Sequence, residues 1–300
     1  MNTLDGRVAV VTGAGRGIGR EHALLFAAEG AKVVVNDLGG NADGTGADAS
    51  PAQQVVDEIK AAGGEAVANH DDVASWEGAQ RLINTAVETF GDLHVLVNNA
   101  GILRDRMLVN MTEEEWDAVI HVHLKGHFCP TRWAAAYWRE RSKEGAEVKA
   151  SVINTSSTSG LFGNPGQANY GAAKMGLGAF TIITARELQR YGVRVNAIAP
   201  AARTRLTAAL GGGTSEAPPP DQFDQMDPAN VSPFVAYLGT ADCPITGRVF
   251  LVWGGNVQLF QPWAIVDQIE KEGRWTIEEL AKEGQRLAEF PFQLNSPFAL

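Results

Sequence analysis

The sequence predicts an α/β protein: a doubly wound parallel sheet of about seven strands with helices on both faces. Three observations carry this. Short apolar runs without alternation recur along the chain, as in Val8-Ala9-Val10-Val11 and Val95-Leu96-Val97; strands read this way when both faces of a sheet are buried. Amphipathic stretches separate the runs, and alternation of strand and helix signals implies parallel crossovers. The first run ends in a glycine cluster that leads directly into a helical stretch.

In chain order, residues 8–11 are the first strand, and Ile18, Ala23, Leu24 and Phe26 mark the helix after the glycines. Residues 32–35 are a β-branched strand. Residues 51–62 form a helix with Pro51 in its first turn and Gly63 beyond its end. A weak strand at 65–69 precedes a helix at 76–90 that stops at Gly91, and 95–97 is a buried strand. One long helix is expected over 112–141, opened by the capping box Thr112-Glu113-Glu114-Glu115. Strands at 151–153, 194–198 and 249–252 and a helix at 167–191 complete the pattern, giving a single catalytic domain over 1–256.

Two segments break the rhythm. Residues 201–229 contain Gly211-Gly212-Gly213 and Pro218-Pro219-Pro220, too long and irregular for a simple connection; they are expected to form a flap over a substrate. Residues 257–300 are read as an extension with a helix at 276–290. Its Phe260, Trp263, Trp275, Phe290, Phe292 and Phe298 suggest packing on the domain or on a partner subunit.

Composition bounds the function. The 300 residues carry 25 Lys and Arg against 35 Asp and Glu, a net charge of −10, which disfavours nucleic acid and anionic membranes as partners. With 45% hydrophobic and 20% charged residues the chain is not disordered. Cys129 and Cys243 make neither a metal pattern nor a disulfide framework. No apolar stretch is long enough to span a membrane, and the N-terminus has no leader signature. A cytoplasmic protein acting on a small molecule, without a metal, is the expectation.

The glycine loop is Thr12-Gly13-Ala14-Gly15-Arg16-Gly17-Ile18-Gly19. Gly13, Gly17 and Gly19 read as G-x-x-x-G-x-G between a strand and a helix. Glycines let the backbone approach a pyrophosphate, and the helix N-terminus offers free N–H groups. Arg16 and Ile18 belong to the same cofactor-binding loop. Asp37 ends the second strand, where a carboxylate accepts from adenosine ribose hydroxyls and repels a 2′-phosphate; that favours NAD over NADP. Arg16 is the counter-signal, because it could pair with such a phosphate. Farther on, Tyr170 and Lys174 lie i and i+4 on one helix face. A tyrosine is a weak base at neutral pH unless a nearby cation favours its phenolate. Ser157, just after a strand, could orient a substrate oxygen beside Tyr170.

Taken together, these motifs resemble the short-chain dehydrogenase/reductase family, with its Rossmann-type sheet. The resemblance runs from about residue 5 to 256. Thr12 to Gly19 matches the family's cofactor loop, and Asn98-Asn99-Ala100-Gly101 its motif after the fourth strand. Ser157, Tyr170 and Lys174 match its catalytic residues, and Asp72 and Val73 lie where it contacts adenine. The resemblance implies strand order 3-2-1-4-5-6-7, hydride transfer between a nicotinamide and an alcohol or ketone, and a homodimer or homotetramer. It also implies cofactor contacts at Asn99, Ala100, Gly101, Tyr170 and Lys174.

Two departures narrow the kinship. His123 stands where the family has an asparagine that supports a proton relay, so His123 either joins the relay or holds the helix. The usual Pro-Gly after strand six is Pro200-Ala201, and Thr204 follows where a hydroxyl could reach the diphosphate. With the extended loop to Ser50 and the segment Gly163 to Tyr170, the chain is most similar to the dehydrogenase unit of peroxisomal multifunctional enzyme type 2 and its stand-alone bacterial relatives. A (3R)-hydroxyacyl-CoA is then the expected substrate, with a 17β-hydroxysteroid or a steroid-derived CoA thioester as the alternative. The chain lacks the length for a hydratase or sterol-carrier domain, so a stand-alone dehydrogenase is expected. A 3-oxoacyl carrier-protein reductase is disfavoured by Asp37, and a non-catalytic nucleotide sensor by the intact Ser157, Tyr170 and Lys174. Arg104, Arg106, Arg203 and Arg205 are either CoA phosphate contacts or surface ion pairs.

Overall fold

The computed structural model describes residues 2–208, 216–219 and 221–291. In order, the elements are β1 (Val8–Thr12), α1 (Gly17–Ala28), β2 (Lys32–Asn36), α2 (Ser50–Ala61), β3 (Glu65–Asn69), α3 (Trp76–Phe90) and β4 (Val95–Asn98). Next come α4 (Glu113–Ile120), α5 (Gly126–Lys143), β5 (Ala150–Thr155), α6 (Thr158–Leu161), α7 (Ala168–Leu188), β6 (Val193–Pro200) and α8 (Arg205–Ala208). The chain continues through α9 (Ser232–Gly239), β7 (Val249–Trp253), β8 (Asn256–Leu259), α10 (Ile277–Glu283) and α11 (Gln285–Glu289).

Among the described residues the sheet has eight strands in the order β3-β2-β1-β4-β5-β6-β7-β8. The first seven are parallel, in the order the resemblance implies. The eighth, absent from the sequence reading, returns antiparallel on β7, pairing Val252 with Val257 across a turn at Gly254 and Gly255. This pairing places residues 257–259 in the first of two compact units, 1–259 and 260–300.

The unbroken apolar runs have a direct cause. Ala9, Val11, Val33 and Val35 pack into a core beneath α1, α2 and α9, whereas Val8, Val10 and Val34 pack into a second core with α3, α5 and α7. Side chains alternate across a strand, so both registers are apolar only when both faces are covered.

The long helix expected over 112–141 does begin with the capping box, in which Thr112 and Glu115 bond reciprocally. It is interrupted by a π-helical turn over His121–Lys125, closed by the Gly126 N–H on the His121 carbonyl. The inserted residue turns His123 into the core, where it is 2% exposed. Single π turns recur at functional sites.

In the second unit, Thr276 and Glu279 form another capping box, and Lys271 bonds Glu279 and lies 5.2 Å from the Trp275 ring centroid. Trp263 and Ile277 are exposed. Phe292 and Phe298, expected to pack, lie outside the described residues, as do 209–215 and 220 of the expected flap. No described helix is long and apolar enough to cross a membrane.

Candidate active site

The ends of β1, β2 and β4 meet at the glycine loop. Gly13 takes a positive φ of 61°, and a Cβ there would lie 2.7 Å from the Ala100 Cα. A Cβ at Gly19 would overlap the Gly13 carbonyl oxygen. These two glycines therefore set how closely α1 approaches β1 and β4. Gly17, with φ 56°, opens α1 and faces the Thr204 methyl. The loop is held from below. Thr12 Oγ1 accepts from the Asn99 and Ala100 N–H groups at 2.9 and 3.1 Å, and Asn99 Nδ2 donates to the Thr12 and Gly13 carbonyls. Asn99 thus carries the loop through its side chain.

Asp37 accepts from the Gly15 and Gly39 N–H groups, both at 2.7 Å. A carboxylate has about four acceptor positions, so room remains for ribose hydroxyls. Arg16 is exposed and precedes α1 in an extended conformation, and Ile18 packs on the first core. Asp72 Oδ1 accepts from the Ala74 N–H at 2.8 Å, and the Val73 side chain is buried in the second core. Pro200 ends β6. The tight glycines, the free N–H groups of α1 and the spare acceptors of Asp37 fit a dinucleotide.

Beside this cleft stand Ser157, Tyr170 and Lys174. Ser157 caps α6, accepting from the Ser159 N–H, and its hydroxyl lies beside the Tyr170 phenol. Lys174 is 2% exposed; its Nζ donates to the Thr155 carbonyl at 2.6 Å and lies 5.4 Å from the Tyr170 ring centroid. Gly160 lets α6 and α7 close, since a Cβ there would lie 2.6 Å from the Met175 nitrogen. Asn169 fixes the start of α7. Its Oδ1 accepts from the Tyr170 N–H at 2.7 Å, and its Nδ2 donates to the Arg104 and Glu115 carbonyls. Burial pushes the Tyr170 phenol up to about 12, opposed by the Ser157 hydrogen bond, and pushes Lys174 down to about 7. Burial dominates and the Asp105 charge adds to it, so a phenolate requires positive charge beside Tyr170.

His123 lies under the pair. Its Nε2 is 2.7 Å from the Ile102 carbonyl and 3.1 Å from the Ile102 N–H, so one tautomer donates and the other accepts. The ring meets Tyr170 edge-on at 5.0 Å and fills the space beside Gly101, where a Cβ would lie 2.5 Å from its Cε1. Its Nδ1 is buried without a partner. His127, one turn later and 1% exposed, was not singled out in the sequence. Its Nε2 accepts from the Thr155 N–H at 3.4 Å, and its ring also bonds the His123 and Asn98 backbone. Its i+4 spacing from His123 was the available signal.

Three buried histidines stay neutral. Burial pushes His22 down to about 3, and it holds His123 and His127 well below the usual range, with the Lys174 charge adding to the effect. Below about pH 6.5 the unfolded chain binds protons there that the folded chain does not, so stability falls on acidification. Each histidine contributes up to about 1.4 kcal/mol per pH unit within that window. Denaturant titration between pH 7 and 5 is expected to show this loss, and H22N is expected to reduce its slope.

The four arginines divide. Arg106 pairs with Glu115 at 3.1 Å, and Arg203 pairs with Asp224. Arg104 and Arg205 instead donate to the Asp43 and Gly40 carbonyls. Among the described residues no cluster of His, Cys, Asp and Glu could hold a metal.

The model of the short chain dehydrogenase family matches residues 7–211. Hydroxyacyl-CoA dehydrogenase ChsB1 of Mycobacterium tuberculosis is 49% identical over 266 residues, covering 86% of this chain and 81% of the relative. Peroxisomal multifunctional enzyme type 2 of Drosophila melanogaster is 49% identical over 81% of this chain, which spans 38% of that protein. A crystal structure of a short chain dehydrogenase from Mycobacterium avium superposes with a TM-score of 0.85 at 55% identity, covering 95% of each chain. The family model over residues 7–211 and relatives at 49% identity place the chain in the short-chain dehydrogenase family, as an oxidoreductase related to the dehydrogenase unit of multifunctional enzyme type 2.

Proposed function

We propose that the protein oxidises the secondary alcohol of a 3-hydroxyacyl-CoA to the ketone with NAD. The observation that carries this is Lys174, its Nζ 5.4 Å from the Tyr170 ring centroid with Ser157 beside the phenol, next to a dinucleotide cleft that has Asp37 at the end of β2. The Mycobacterium tuberculosis relative, a hydroxyacyl-CoA dehydrogenase 49% identical to this chain, supports the substrate class.

In this reading Ser157 donates to the substrate oxygen and holds the carbinol over the cofactor. Tyr170 takes the hydroxyl proton. Lys174, already on the Thr155 carbonyl, binds the nicotinamide ribose and adds positive charge beside the phenol. When bound, the nicotinamide supplies the hydride acceptor for the carbinol carbon. His123 holds the Ile102 peptide and the edge of Tyr170 in place. The cofactor contacts are Gly13, Arg16, Gly17, Ile18, Gly19, Asp37, Asp72, Val73, Asn99, Ala100, Gly101, Tyr170, Lys174, Pro200 and Thr204. The enzyme acts in the cytoplasm as a homodimer or homotetramer; Phe128 on α5 and Ile183 on α7 are exposed apolar residues that a second copy would cover.

The test is NADH formation at saturating NAD, comparing a (3R)-hydroxyacyl-CoA with a 17β-hydroxysteroid. Turnover of the thioester is expected. Turnover of the steroid alone would reassign the substrate.

A further inference from the structure

The segment between β2 and α2, residues 38–49, forms a preformed loop. Its base is closed by the Asp48 N–H on the Leu38 carbonyl at 3.1 Å, and Gly39 packs directly on the Asp48 backbone. Its tip is closed by the Asn41 N–H on the Thr45 carbonyl at 2.7 Å and by Asp43, which accepts from the Thr45 N–H and hydroxyl. Compact loops whose ends meet in this way are frequently functional.

The tip bonds to distant elements. The Leu103 N–H donates to the Ala42 carbonyl at 2.9 Å, and Arg104 Nε donates to the Asp43 carbonyl at 2.8 Å. Gly44 lies on Ile102, where a Cβ would be 2.9 Å from its Cδ1. Arg205 Nη2 donates to the Gly40 carbonyl at 3.1 Å. Ile102 to Arg104 follow β4, and Arg205 opens α8 after β6. In the sheet order β1 lies between β2 and β4. A loop that leaves β2 and bonds the segment after β4 therefore crosses the end of β1, where Gly13 to Gly19 lie.

Arg104 has a second partner. Its carbonyl accepts from Asn169 Nδ2 at 3.0 Å, and Asn169 Oδ1 accepts from the Tyr170 N–H. One residue thus joins the loop tip to the start of the helix that carries Tyr170 and Lys174.

We propose that residues 38–49 are a clasp over the dinucleotide, and that Arg104 is the positioning residue that ties this clasp to Tyr170. The proposal rests on the reading of the glycine cleft as a nicotinamide dinucleotide site. It gives Arg104 a role other than binding a CoA phosphate: its guanidinium is directed at a backbone carbonyl of the clasp. Cofactor release then requires the tip bonds to open. The main effect of weakening them falls on the dissociation rate.

The experiment is NADH displacement from the full-length protein without substrate, followed by nicotinamide fluorescence in a stopped-flow instrument. R104M is expected to raise the dissociation rate about three- to tenfold, the size of one lost hydrogen bond. R104K, which keeps a donor, is expected to recover part of that loss. Replacing residues 41–46 with two glycines is expected to exceed the R104M effect and makes the test independent of how R104M folds. A second readout is hydrogen exchange at the Leu103 amide, which NADH is expected to slow. Dissociation rates unchanged in both R104M and the shortened loop would overturn the clasp while leaving the dinucleotide site standing. Failure of the wild type to bind either NADH or NADPH would overturn the dinucleotide site itself, and the clasp with it.

Discussion

Y170F is expected to lower kcat by about three orders of magnitude while leaving NADH affinity within a few-fold of wild type. On the proposed reading the hydroxyl takes the proton of the substrate alcohol, and a positioned acid or base contributes about 10²–10⁴-fold. The change removes only an oxygen. The ring stays edge-on to His123, and Asn169 still caps the backbone of residue 170. The phenol is also held protonated by burial, up to about 12. Oxidation by the wild type is therefore expected to accelerate with rising pH as the proton is lost more readily. That dependence should disappear in the variant. Steady-state rates across pH with one alcohol, together with NADH fluorescence titration, measure both. A Y170F protein with unimpaired turnover would remove Tyr170 from the chemistry.

The second large effect is expected at Asp37. D37S should weaken NAD binding about ten- to a hundredfold, the range for hydrogen bonds to a charged group, and should improve NADP binding relative to NAD. On the proposed reading the carboxylate charge excludes a 2′-phosphate; Arg205 lies close to both Arg16 and Asp37, so removing the acid leaves a cationic corner. Asp37 also accepts from the Gly15 and Gly39 N–H groups, so part of the loss in D37S is loop geometry. D37N removes the charge and keeps one of the two loop acceptors, because its single amide oxygen can still accept from either the Gly15 or the Gly39 N–H. Isothermal titration with both cofactors reads the result. A selectivity for NAD that survives D37N would mean that the charge does not set it.

Much of the site was legible because its signals are local. The glycine loop, the i and i+4 pair Tyr170 and Lys174, and the capping box at Thr112 each depend on a few consecutive residues. The apolar runs disclosed a two-sided parallel sheet for the same reason: alternate residues of β1 and β2 must satisfy opposite cores. What escaped depends on contacts distant in sequence. The π turn was invisible because one inserted residue leaves no local mark in the sequence; it is apparent only where His123 meets Gly101 and Ile102. His127 gains its place from Thr155, and Arg104 and Arg205 gain theirs from a loop some sixty and more residues earlier. The strand β8 was hidden because an edge strand half-exposed to solvent carries a weak apolar pattern.

By itself, then, the sequence determined the strand order's class, the cofactor loop and the chemical group beside it, since backbone conformation and helix spacing follow from neighbouring residues. Only the tertiary structure decided the neutral state of the buried histidines, the division of the arginines between ion pairs and loop carbonyls, and the path of residues 38–49 across the cleft. Burial and long-range hydrogen bonds set those properties, and both exist only once distant segments are packed together.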